Sequence, residues 1–153
     1  MIPGTVPLSG WKAVGRAALA PEVVLFDLDG TLTASGPGIL DSVRYALTAL
    51  GQPIPPTAEL DSFIGPPLLD SFREVCGMDL DRAQEAIAAY RVYYGRSGQF
   101  ENSVYAGIPD VLGALRAAGC VLAVATSKAE PYARSILDHF ELSEWFSVIV
   151  GSE

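Results

Sequence analysis

Val23-Val24-Leu25-Phe26 is a short apolar run rich in strand formers, bounded by Pro21 before it and by Asp27 to Gly30 after it. Its length and flanks predict a strand buried on both faces, as in parallel sheets. From Pro37 to Leu50 the apolar residues fall at 39, 40, 43, 46, 47 and 50. That spacing is one face of a helix, opening at Ser35 or Gly36 and closing at Gly51. Gln52 to Pro56 is a proline-rich break, and Thr57 to Phe63 reads as a short helix capped by Thr57. Gly65-Pro66-Pro67 cannot continue it. Leu68 to Val75 and Asp81 to Tyr94 predict two more helices, the second starting at Asp81 and ending near Gly95. After a second break at Gly95 to Gly98 come a helix over Pro109 to Ala118 stopped by Gly119, a buried strand over Val121 to Ala125, a helix over Glu130 to Phe140 with Pro131 in its first turn, and a strand over Ser147 to Val150.

Strands separated by helices imply parallel pairing and right-handed crossovers, so the fold class is α/β. The stretch from 36 to 103 contains no strand and reads as an all-helical insertion between the first strand and the rest of the core. The organisation expected is an N-terminal extension at 1–21, an α/β core at 22–35 and 104–153, and a helical cap at 36–103. The extension contains Lys12 and Arg16 but no continuous apolar core before a cleavage site, so it does not read as a signal peptide. It is expected to be disordered or loosely packed, or an over-long gene start.

Half of the residues are apolar and 18% are charged, enough for a sizeable core. The mean hydropathy of +0.30 is high for a soluble chain. Either the core is large or some apolar surface packs against something else. A net charge of -8 argues against nucleic acid and anionic membranes as partners. It leaves phosphorylated small molecules open, because backbone N–H groups bind phosphate within an acidic protein. No apolar run approaches the length of a membrane span. Cys76 and Cys120 follow no metal-ligand spacing and read as reduced thiols of a cytoplasmic protein.

The chemistry lies in Phe26-Asp27-Leu28-Asp29-Gly30-Thr31-Leu32. In extended backbone, residues two apart point to the same side, so Asp27 and Asp29 converge at the C-terminal end of the first strand. That edge of a parallel sheet is where α/β folds place their ligands. Two convergent carboxylates can hold Mg²⁺ or share proton work. Gly30 permits the sharp turn that follows. A lone Asp-Gly is more often only a turn; here a second carboxylate and a buried strand precede it.

Asp27-Leu28-Asp29-Gly30-Thr31 resembles the first motif of the haloacid dehalogenase-like hydrolase superfamily, and within it the phosphoglycolate phosphatase-like branch. The resemblance runs from about Glu22 to Glu153. It implies a Rossmann-like three-layer core with a parallel sheet, incomplete at its C-terminal side, and a small helical cap inserted after the first strand. It further implies that Asp27 attacks phosphorus to form an aspartyl-phosphate, that Asp29 is the general acid and base, and that Mg²⁺ binds the Asp27 carboxylate and the Asp29 backbone carbonyl. Dehalogenases of the superfamily need no acid at the second Asp, so Asp29 favours a phosphate ester.

Val124-Ala125-Thr126-Ser127-Lys128 fits the second motif, with Thr126 as its hydroxyl residue. Thr126, Ser127 and Gly30 are then the expected phosphate contacts, although Thr or Ser here would equally suit a helix cap. The family's third-motif Lys or Arg and fourth acidic motif are expected downstream of a strand such as 147–150, so neither is matched here. Lys128 lies too close to the second motif to take the third-motif role. Ala34 stands where many relatives have Asp. The segment Phe63 to Leu68 resembles a cap loop that faces the active site, which makes Gly65 a candidate substrate contact. Arg73 and Arg44 are candidate partners for an anionic group on the substrate. Tyr90, Tyr93 and Tyr94 read as packing residues, and His139 as a helix-end residue.

The function expected is Mg²⁺-dependent hydrolysis of a small phosphate monoester, phosphoglycolate-like or a nucleotide or sugar phosphate. The alternatives are a phosphosugar mutase, against which Thr31 argues, and a catalytically incomplete fragment. The oligomeric state is not legible.

Overall fold

The structure is a computed structural model and describes residues 22–152. The extension at 1–21 lies outside them. Three strands form one parallel sheet in the order β1-β2-β3: β1 (Val23–Phe26), β2 (Val121–Ala129) and β3 (Val148–Ser152). Between β1 and β2 run α1 (Gly36–Ala49), α2 (Thr57–Leu60), α3 (Leu68–Cys76), α4 (Leu80–Arg96) and α5 (Ile108–Ala117). Helix α6 (Glu130–His139) links β2 to β3.

The two apolar clusters follow the division expected between core and insertion. One joins Leu28, Leu32, Leu112, Leu122, Val124, Ile136, Leu137 and Ile149 between the sheet and helices α5 and α6. The other joins Ile39, Val43, Leu47, Phe63, Phe72, Ala83, Tyr90 and Tyr94 among α1 to α4. Tyr132 of α6 packs against this second cluster, so the two halves meet at the C-terminal ends of the strands.

Several boundaries differ from the sequence reading. The N-cap position before Thr57 is taken by Pro56, and α2 gives way to a 3-10 turn over Asp61–Phe63. Helix α4 is capped one turn-residue pair earlier than expected: the Asp79 carboxylate accepts from the Arg82 amide at 2.8 Å, and Asp81 lies in the first turn. Strand β2 does not stop at Ala125. It continues to Ala129, where it pairs again with Ser152 after a register shift between Ala125 and Ala129.

The expectation that β1 is buried on both faces is not met. Alternate residues Val24 and Phe26 pack under α5 and α6, whereas Val23 and Leu25 are 53% and 67% exposed. The register places Val23 beside Val121 and Leu25 beside Ala123, on the same face as Val148 and Val150. Among the described residues, both covering helices lie on the other face. β1 is an edge strand of the three-stranded parallel sheet.

Candidate active site

The turn after β1 is built around one carbonyl. The oxygen of Leu28 accepts from the amides of Thr31, Leu32 and Thr33 at 3.3, 3.0 and 3.1 Å. Gly30 closes the turn with φ +75°, the left-handed region that costs side-chain-bearing residues most. Leu28 and Leu32 are fully buried and anchor the turn in the core. With Leu28 turned inward, Asp27 and Asp29 are left at the strand end. Asp27 is exposed, and one of its carboxylate oxygens accepts from the Leu28 amide at 2.7 Å.

Phe26 is opposite Val124 in the sheet. The ends of β1 and β2 therefore lie side by side, bringing Asp27 to Asp29 next to Thr126 to Lys128. The Thr126 hydroxyl accepts from the Lys128 amide at 3.3 Å. The N-cap position of α6 is Ala129, with no side-chain cap, so neither Thr126 nor Ser127 serves as that cap. The Ser127 hydroxyl donates to the Gly65 carbonyl of the insertion at 3.2 Å. Gly30 contributes the turn, since its amide already donates to the Thr33 carbonyl at 2.8 Å.

Lys128 is the residue that sequence reasoning missed. Its Nζ lies 3.0 Å from Asp29 Oδ2 and donates to the Tyr94 hydroxyl at 2.7 Å, and its side chain is only 8% exposed. Its spacing fitted no third motif, so the sequence offered it no role. The available signal was geometric: Lys128 is two residues beyond Thr126 in an extended run, hence on the same side. Burial of Tyr90 and Tyr94 pushes both phenols upward, which keeps them neutral and able to donate hydrogen bonds at physiological pH.

A cavity of about 260 Å³ opens beside Asp29, Ser127 and Lys128. Gly65 of the loop before α3 and Leu68 at the start of α3 line it, as do Tyr90 and Tyr94 of α4 and Tyr132 of α6. The structure does not bring the two candidate arginines to it. Arg44 pairs with Asp41 at 2.7 Å on the surface, and Arg73 lines a separate hollow with Asp70 and Glu74. Tyr93 is engaged with Glu101 at 2.8 Å, and the His139 ring rests against Phe100 and Phe140.

Asp29 Oδ1 is buried and has no hydrogen-bond partner. An orphaned carboxylate oxygen calls for a proton or a cation. With the exposed Asp27 beside it, the donors are hard oxygens. Mg²⁺ is commonly held by one or two carboxylates, with water and substrate phosphate completing its shell. The residues present fit that ion, although no group of three or more His, Cys, Asp or Glu is placed to hold a metal among the described residues.

The profile of the haloacid dehalogenase-like hydrolase family matches residues 24–153, and the chain belongs to that family. It is 48% identical over 137 residues to a 5'-nucleotidase of Pseudomonas aeruginosa, a match covering 90% of this chain and 62% of the relative. It is 47% identical over 133 residues to the tyrosine-protein kinase PtkA of Mycobacterium tuberculosis, covering 87% and 45%. A phosphoglycolate phosphatase of Pseudomonas savastanoi is 29% identical over 153 residues, covering 95% and 56%. A predicted phosphatase from Clostridium acetobutylicum superposes with a TM-score of 0.82 at 45% identity, covering 87% of this chain and 62% of that one. The chain thus spans less than two thirds of the length of these relatives.

Proposed function

We propose that this chain carries the nucleophile and the proton-transfer group of a Mg²⁺-dependent phosphate monoesterase. The observation that carries the reading is the Asp27/Asp29 pair at the end of a parallel strand, with one Asp29 oxygen paired to Lys128 and the other buried without a partner. An Asp27 oxygen attacks phosphorus, and the bond to the ester oxygen breaks. Asp29 delivers a proton to the departing alkoxide. Asp29 then takes a proton from water as that water attacks the aspartyl-phosphate, which frees the Asp27 carboxylate and inorganic phosphate. Thr126 and the neighbouring amides hold phosphoryl oxygens. Mg²⁺, held by Asp27 and the Asp29 backbone carbonyl, would neutralise charge between an anionic nucleophile and an anionic ester.

The substrate is a small phosphorylated metabolite, since the insertion of α1 to α4 leaves a partly open cavity of about 260 Å³ beside Asp29. Residues 36–103 act in this reading as the cap that shields the site from water. Two free thiols, Cys76 and Cys120, suit a reducing cytoplasm.

The test is hydrolysis of p-nitrophenyl phosphate by this chain with Mg²⁺ and with EDTA, beside Asp27→Asn. The expected outcome is weak Mg²⁺-dependent turnover, since the third and fourth motifs are not matched in this chain, and its loss in Asp27→Asn. Turnover that survives Asp27→Asn would remove the nucleophile assignment. Folded protein with no turnover in any condition would limit this chain to binding.

A further inference from the structure

The cavity beside Asp29 is lined by three charged side chains, Asp29, Lys128 and Arg91. Asp29 and Lys128 lie 3.0 Å apart and neutralise each other. Arg91 is left over, so the lining is net positive in a chain whose net charge is -8. The sequence of α4 explains why Arg91 is free. The positions one turn away on either side are Ile87, Ala88, Tyr94 and Gly95, none of them a carboxylate. Arg44, Arg82 and Arg134, by contrast, each pair with a carboxylate one turn away on their own helix. Among the described residues, no carboxylate lies within ion-pairing distance of Arg91. Ile87, Tyr90, Arg91 and Tyr94 recur at helical spacing and share the face of α4 that lines the cavity. Tyr94 on that face accepts from Lys128. Arg91 is therefore roughly 4.5 Å along the helix axis from the residue that joins α4 to the Lys128–Asp29 pair.

We infer that Arg91 is a specificity-determining residue, pairing with a second anionic group, a carboxylate or a second phosphate, on the alcohol part of the ester. The inference rests on the phosphate-ester reading of Asp27 and Asp29. The cavity volume of about 260 Å³ compares with about 30 Å³ for each water, so there is room for more than a phosphoryl group. A guanidinium presents its N–H donors in a fixed fork that matches two oxygens of a carboxylate or phosphate at once. Arg91 is exposed where it meets the cavity, so an anion paired there keeps water on its open side and escapes most of the cost of burial. An uncharged alcohol leaves the guanidinium in water and gains nothing from it. Arg91 therefore sorts esters by the charge of their alcohol part.

The experiment is NMR titration of the nitrogen-labelled 153-residue chain in Mg²⁺, following backbone amides and the Arg91 Nε–H group. The probes are ethyl phosphate, 2-phosphoglycolate, ethylene glycol bisphosphate and inorganic phosphate. The three esters share a two-carbon alcohol part and differ in the charge at its far end. At least one of the two doubly anionic esters should bind about fivefold or more tightly than ethyl phosphate and should move the Arg91 Nε–H signal. Which of them does so identifies the anion that Arg91 takes. Arg91→Gln should bring that ratio down to about one, and Arg91→Lys should retain part of it. Arg44→Gln removes an equal charge away from the cavity and should keep the full ratio. The inference is overturned if ethyl phosphate binds as tightly as both anionic esters, if the ratio persists in Arg91→Gln, or if Arg44→Gln lowers it as much. In each of those cases, binding of inorganic phosphate and ethyl phosphate leaves the phosphate-ester reading standing. If no probe binds, that reading and the role of Arg91 fall together.

Discussion

Lys128 shows how much one side chain settles. It extends from the end of β2, pairs with Asp29 and donates to Tyr94 across the boundary between core and insertion. Both charges are nearly out of solvent, the lysine 8% and the aspartate 11% exposed. Screening by water is therefore weak, and removing one partner leaves the other charge buried alone. Lys128→Met should cost about 3 kcal/mol in urea denaturation. The double variant Asp29→Leu/Lys128→Met should recover most of that loss, because it leaves no lone charge. A double variant as unstable as the sum of the single ones would show that the two residues act independently. Tyr94→Phe removes a neutral acceptor and should cost about 1 kcal/mol.

At the level of elements, the insertion is fastened to the chain that leads back to the core by a backbone approach that only glycine allows. A Cβ on Gly38 in α1 would lie 1.8 Å from the Gly98 carbonyl oxygen in the turn after α4. The obstacle is backbone, so no side-chain rotation relieves it. Gly38→Ala should therefore destabilise the protein by about 3 kcal/mol. Gly113 in α5 is a useful contrast, because its Cβ would meet only the Trp145 ring at 3.7 Å, an ordinary contact. Gly113→Ala should stabilise by about 0.5–1 kcal/mol through the lower entropy of the unfolded chain. Melting curves of the two variants should move in opposite directions. Helical periodicity located α1 and α5, but it carried no sign that one glycine is required and the other replaceable. That difference depends on which element lies across from each.

Across the whole molecule, the sheet presents one apolar face to solvent. Val23, Leu25, Val148 and Val150 are each more than half exposed there, which accounts for part of the high mean hydropathy. No helix among the described residues is long and apolar enough to cross a membrane. An exposed apolar face of this kind is a solubility liability in water. Leu25→Thr combined with Val150→Thr keeps strand-forming side chains while removing apolar area. The pair should raise the concentration at which light scattering begins, with little change in melting temperature. An unchanged onset would mean that aggregation starts elsewhere.

The sequence by itself determined the order and kind of the elements, because periods of two and 3.6 and the Gly and Pro stops are local properties. It also located Asp27 and Asp29, since their convergence needs only an extended backbone. It exposed the helical insertion as a long stretch without strands. Only the tertiary structure decided which face of β1 is covered, because a short apolar run looks the same whether one face or both are buried. The same holds for the site's outer parts. Lys128 reaches Asp29 and Tyr94 through contacts 99 and 34 residues away along the chain. Arg44 and Arg73, equally charged in the sequence, lie away from the cavity, the first paired with Asp41 and the second in a separate hollow with Asp70 and Glu74. Contacts between residues so far apart depend on how the helices pack, and no local pattern encodes them.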